Sequence, residues 1–154
     1  MKDLPTLKAI CDKVVAAPDL APRLVGGVLV TYCNVGAIRV ANAMGCHELD
    51  GLLADDQYKV MSVNESGKWN KVPGPAASLW AQQGGLAFAA LPGARLKEEH
   101  GHIAAVYPAE MQMSPSLGHP VPMLANVGKT NVEEKESQAF PVAAGEADYF
   151  IYLA

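Results

Sequence analysis

The sequence has no Cys-x-x-Cys pair and only three cysteines, Cys11, Cys33 and Cys46. Three thiols cannot all pair with one another, and the missing spacing argues against both a disulfide scaffold and a four-cysteine zinc site. Charge is sparse, at 18% of residues, and aromatic residues make up only 6%. The 12 Lys and Arg against 16 Asp and Glu give a net charge of −4, with the basic residues scattered. No basic stripe marks a nucleic-acid footprint. The apolar runs stop far short of the ~20 residues that span a bilayer, so no membrane span is expected. Met1 to Leu20 lacks the ordered basic, apolar and small-residue regions of a Sec signal. No repeat, low-complexity tract or linker divides the chain, so residues 1–154 are expected to form one domain.

What is present is apolar residues in quantity, 50% of the chain, arranged in short blocks. "LPTLKAICDKVVAA" (4–17) sets Leu7, Ile10, Cys11, Val14 and Val15 at helical spacing, with Pro5 in a first turn and Pro18 as a stop. Cys11 therefore reads as a core residue. "NVGAIRVANAM" (34–44) repeats the helical pattern with Val35, Ile38, Ala41 and Met44, and Gly45 closes it. "RLVGGVLVTY" (23–32) fits either a strand or a short helix. A further short helix is expected over Ala54 to Met61, "NESGKWNKVPGP" reads as a loop, and "AASLWAQQ" as a helix closed by Gly84-Gly85. Four strand-length runs follow: "GLAFAAL", "GHIAAVYP", "PVPMLANVG" and "DYFIYLA". Helices before strands predict an α+β domain with segregated layers.

Cys33 falls at or just before the first turn of the 34–44 helix. A helix N-terminus presents unpaired N–H groups and a partial positive charge, which favours the reactive thiolate. Such a nucleophile needs a histidine base, and a third polar group to orient it. Of the four histidines, His47 follows Cys46 in a turn, His100 sits behind a charged segment, and His119 lies in a Gly/Pro loop. His102 opens a strand directly after Gly101, a residue that permits close backbone approach. Asn126, at the end of the next strand-length run, can accept the imidazole N–H without adding charge. Asn131, in the following turn, is the alternative.

"YCNVGAIRVANAMG", "GGLAFAAL" and "GHIAAVYP", in this order, resemble the NlpC/P60 and CHAP papain-like cell-wall amidases. Within them the chain looks closest to the type VI secretion amidase effectors, over roughly residues 25–131. The resemblance implies a papain-like fold, with N-terminal helices packed on an antiparallel sheet. It also implies Cys33 as nucleophile, His102 as base and Asn126 as third group, with Asn42, Ala54 and Asp55 on a substrate-side helix. The chain departs from the family at Tyr32, where many relatives have Asp or Asn. It departs again at Gly36-Ala37, where relatives carry an aromatic residue three positions after the cysteine.

The implied activity is hydrolysis of an amide bond in peptidoglycan stem or cross-link peptides, by a monomer, with no metal or organic cofactor. An inhibitor or immunity protein is the implied protein partner, and delivery by a secretion machine or phage lysis fits the missing Sec signal. A cytoplasmic location fits it equally. Two other readings stay open: a non-catalytic binding or phage structural domain with Cys33 in the core, and a papain-like acyltransferase or protein protease. Zinc at Cys46-His47 and His100-x-His102 is disfavoured, because adjacent ligands are awkward for tetrahedral coordination.

Overall fold

A computed structural model describes residues 3–154. Helix α1 spans Leu4–Val15; Asp3 caps it, accepting from the Thr6 backbone N–H at 2.9 Å and its hydroxyl at 2.8 Å. Leu7, Cys11 and Val14 form its buried stripe. Strands β1 (Arg23–Val25) and β2 (Val28–Val30) form a hairpin, which resolves the segment the sequence left open. Gly26 and Gly27 both have positive φ, as this two-residue turn requires.

Helix α2 spans Cys33–Ala43, so Cys33 is its first residue. Helix α3 (Ala54–Val63) ends on Asn64 in the left-handed conformation. Asn64 Oδ1 accepts from the Trp69 N–H at 2.9 Å and so starts strand β3 (Trp69–Val72). This strand lies inside the segment expected to be a loop. Helix α4 (Gly74–Gln82) leads to β4 (Ala87–Leu91), the one-turn helix α5 (Gly93–Leu96) and β5 (His102–Val106).

A second hairpin joins β6 (Gln112–Ser114) to β7 (His119–Val121), placing His119 in a strand instead of a loop. Strand β8 (Met123–Asn126), strand β9 (Val132–Lys135), the short α6 (Glu136–Ala139) and β10 (Asp148–Tyr152) complete the chain.

The main sheet is antiparallel, in the order β3-β10-β4-β5-β8-β9. The fold is therefore α+β, but β1 to β3 precede most of the sheet, so the separation of helices from strands along the sequence is incomplete. The central strands are rich in alanine: Ala87, Ala89, Ala90, Ala104, Ala105 and Ala125 are all buried. These small side chains let helices approach closely, and α2 packs directly on β5. Phe88 and Phe150, paired across β4 and β10, fill the centre of the core. Burying each contributes about 1.5–3 kcal/mol.

Candidate active site

Two features hold the start of α2 in place. The buried Gln57 of α3 donates from Nε2 to the Asn34 carbonyl at 3.1 Å, while Asn34 Nδ2 donates to the Leu52 carbonyl at 3.3 Å. The residue after Cys33 is thus tied through both main chain and side chain. Tyr32 occupies the N-cap position and makes no side-chain capping bond. Its ring instead lies beneath the Arg23 guanidinium, 5.3 Å from the ring centroid. An Asp or Asn at this position would cap first-turn N–H groups; with Tyr32 those donors are left to Cys33 and its surroundings.

Gly36 is held to a small residue by packing. A Cβ at Gly36 would lie 2.8 Å from Val127 Cγ2. An aromatic residue has no room on this face of α2.

His102 is held from several sides. Its strand entry is set by Asp55, in the first turn of α3, whose Oδ1 accepts from the Gly93 N–H at 2.7 Å. A Cβ at Gly101 would meet both Asp55 Oδ1 and the Leu91 carbonyl at 2.7 Å, so only glycine fits ahead of His102. The imidazole packs on Phe140, with centroids 4.9 Å apart. It also lies over Gly128, where a Cβ would approach His102 Cε1 to 3.2 Å.

His102 Nε2 and Asn126 Oδ1 are 2.6 Å apart. Asn126 is buried and fully engaged: its Nδ2 donates to Glu134 Oε1 at 2.8 Å and to the Thr130 carbonyl at 3.3 Å. Asn131 has a different job. Its Oδ1 accepts from the Gly128 N–H at 2.9 Å and its Nδ2 donates to the Leu20 carbonyl at 2.7 Å, fixing the loop beneath His102.

Cys33, His102 and Asn126 line one cleft of about 570 Å³, together with Thr31, Gly128 and Glu134. The other sequence candidates lie elsewhere or play other parts. Asn42 is exposed on α2 and Ala54 is buried. His47 is exposed beside Asp50, and His119 pairs with Glu146. His100 is an exposed residue of the cleft rim. Cys11 and Cys46 are fully buried.

The electrostatics correct one expectation. Burial pushes the Cys33 thiol above its ordinary pKa and outweighs the backbone N–H groups of Ile103, Asn34 and Cys33 itself, which favour the thiolate. Burial also holds the His102 imidazole below its ordinary pKa, against the opposing effects of Asn126 and Glu98. Both shifts favour the uncharged forms, a thiol at Cys33 and a neutral imidazole at His102.

Sequence reasoning missed Glu134, Gln57, Gly128 and Phe140. In the β8–β9 ladder Asn126 pairs with Val132 and Leu124 with Glu134, so Asn126 and Glu134 share a face on a diagonal.

Among the described residues, no group of three or more His, Cys, Asp or Glu is arranged to hold a metal ion, and no helix is long and apolar enough to cross a membrane. No protein-family model matches this chain, and no curated protein matches it in sequence.

Proposed function

We propose that this protein is a papain-like cysteine amidase that hydrolyses an amide bond in bacterial cell-wall peptides. The observation that carries the reading is the convergence of three groups on one cleft: a cysteine on the first residue of a helix, a histidine at a strand start, and an asparagine oxygen 2.6 Å from that histidine's Nε2. The cell-wall substrate class rests on the sequence resemblance alone.

The reaction follows from the roles of these groups. Cys33 Sγ attacks the substrate carbonyl carbon as its proton passes to His102. The carbonyl oxygen becomes an oxyanion, met by backbone N–H groups at the start of α2. The C–N bond then breaks; His102 gives its proton to the leaving amine, and a thioester remains on Cys33. Water attacks the thioester as His102 accepts a proton from it, the C–S bond breaks to release the acid, and His102 returns that proton to the Cys33 sulfur, restoring the thiol and the neutral imidazole. Asn126 keeps the imidazole in the plane this shuttle requires.

The test is digestion of purified soluble cell-wall peptides by wild-type protein and by Cys33→Ala, with product masses identifying the bond cut. Wild-type turnover should exceed that of the variant by several orders of magnitude, by analogy with triad enzymes. Equal turnover would remove Cys33 from the mechanism. No turnover by either protein would favour a binding domain.

A further inference from the structure

An asparagine amide is nearly symmetric in shape, so Asn126 could present either its oxygen or its nitrogen to His102. The two choices have opposite consequences for the imidazole. An oxygen partner needs Nε2 to carry the proton, which leaves Nδ1 bare. A nitrogen partner needs Nε2 to be the bare atom.

The surroundings of Asn126 decide between them. On the side away from His102 lie two oxygens, Glu134 Oε1 at 2.8 Å and the Thr130 carbonyl at 3.3 Å, both bonded to Nδ2. A flipped amide would set Oδ1 against both of them and would lose both bonds. The Glu134 bond is the shorter of the two and, with the carboxylate ionised, the stronger. Asn126 is buried, so water cannot readily replace a lost partner. Residues 102, 126 and 134 also follow one another across adjacent strands, since β5 pairs with β8 and β8 with β9.

We propose that Glu134 is a positioning residue: by holding the Asn126 amide in one orientation it fixes the Nε2–H tautomer of His102, leaving Nδ1 without a proton. This rests on the reading of Cys33 and His102 as nucleophile and base. The tautomer itself is a property of the free protein and is measurable whether or not that reading holds.

The experiment pairs long-range nitrogen NMR of the neutral His102 ring with steady-state kinetics on cell-wall peptides. The wild type should show Nε2–H alone. Glu134→Gln, which keeps an acceptor oxygen for Asn126 Nδ2, should retain that tautomer and most of kcat. Glu134→Ala should show a mixture of tautomers and lose roughly ten- to a hundredfold in kcat with KM little changed, the scale typical of an outer-layer partner. Glu134→Leu, which fills the space without an acceptor, should repeat the Ala result and serves if the Ala variant does not fold. An unmixed Nε2–H tautomer in both the Ala and Leu variants would overturn the proposal. If the wild type cleaves no peptide, the amidase reading fails while the NMR comparison still decides the role of Glu134.

Discussion

Gly36 on α2 and Val127 after β8 face each other so closely that a Cβ at position 36 would lie 2.8 Å from Val127 Cγ2 and 3.0 Å from its Cβ. The neighbour is a branched side chain in the core, with little freedom to retreat. Gly36→Ala should therefore destabilise the protein by about 1–3 kcal/mol, the range for overpacking. Gly36→Ala with Val127→Ala should recover part of the loss. Urea unfolding of the three variants checks this; an additive double variant would mean the strain lies elsewhere.

Asp55 joins α3 to the turn after β4 through the Gly93 N–H at 2.7 Å. Removing the acceptor with Asp55→Ala leaves a part-buried N–H unpaired, at a cost of about 1–3 kcal/mol. Asp55→Asn, which keeps an oxygen, should cost less. Because the same corner leads into His102, Asp55→Ala should also lower kcat, whereas a purely local tie would change the unfolding midpoint only.

The three thiols should differ in reactivity. Cys11 and Cys46 are fully enclosed, and the Cys11 thiol is pushed up to about 12 by burial and by the nearby Asp12 and Glu133 carboxylates. Cys33 borders the cleft and has a histidine within it. Timed iodoacetamide labelling at neutral pH with peptide mapping should find Cys33 modified first. Equal labelling of all three would contradict the placement of Cys33, alone of the three, at the cleft.

His102 gives a pH dependence of defined sign. Its folded pKa lies below the ordinary value near 6.5, so the unfolded chain takes up the proton first as pH falls. Stability is unaffected by this group above about 6.5 and declines below it, down to the folded pKa. His102→Gln should flatten that part of the pH–stability curve. In the wild type the acid limb of kcat/KM should lie below the ordinary histidine range. A limb above it would mean that burial does not govern this imidazole.

The parts of the fold legible in the sequence are those whose apolar pattern carries the signal. Helix α1 shows its apolar residues at helical spacing, and strands β4, β5 and β10 are continuous apolar runs of strand length, so their positions follow from the sequence. Strands β3 and β9 do not. They are the two edges of the sheet and carry Lys71, Glu133, Glu134 and Lys135, charges of the kind that protect an open edge from further pairing. Such strands contain no apolar run, so nothing in the sequence marks Glu134. Cys33, His102 and Asn126 were visible because each stands where an apolar run begins or ends. That Asn126 and not Asn131 meets His102 depended on the β5–β8 pairing and on the competing bonds of Asn131 to Gly128 and Leu20.

The most direct measurement is the intact mass of the protein after rapid acid quenching of a reaction with cell-wall peptide. If Cys33 is the nucleophile, a species heavier by the acyl half of the substrate should form, and peptide mapping should place that mass on Cys33. His102→Ala should slow its formation, and Cys33→Ala should show none. Continued hydrolysis by Cys33→Ala without a covalent species would contradict the mechanism.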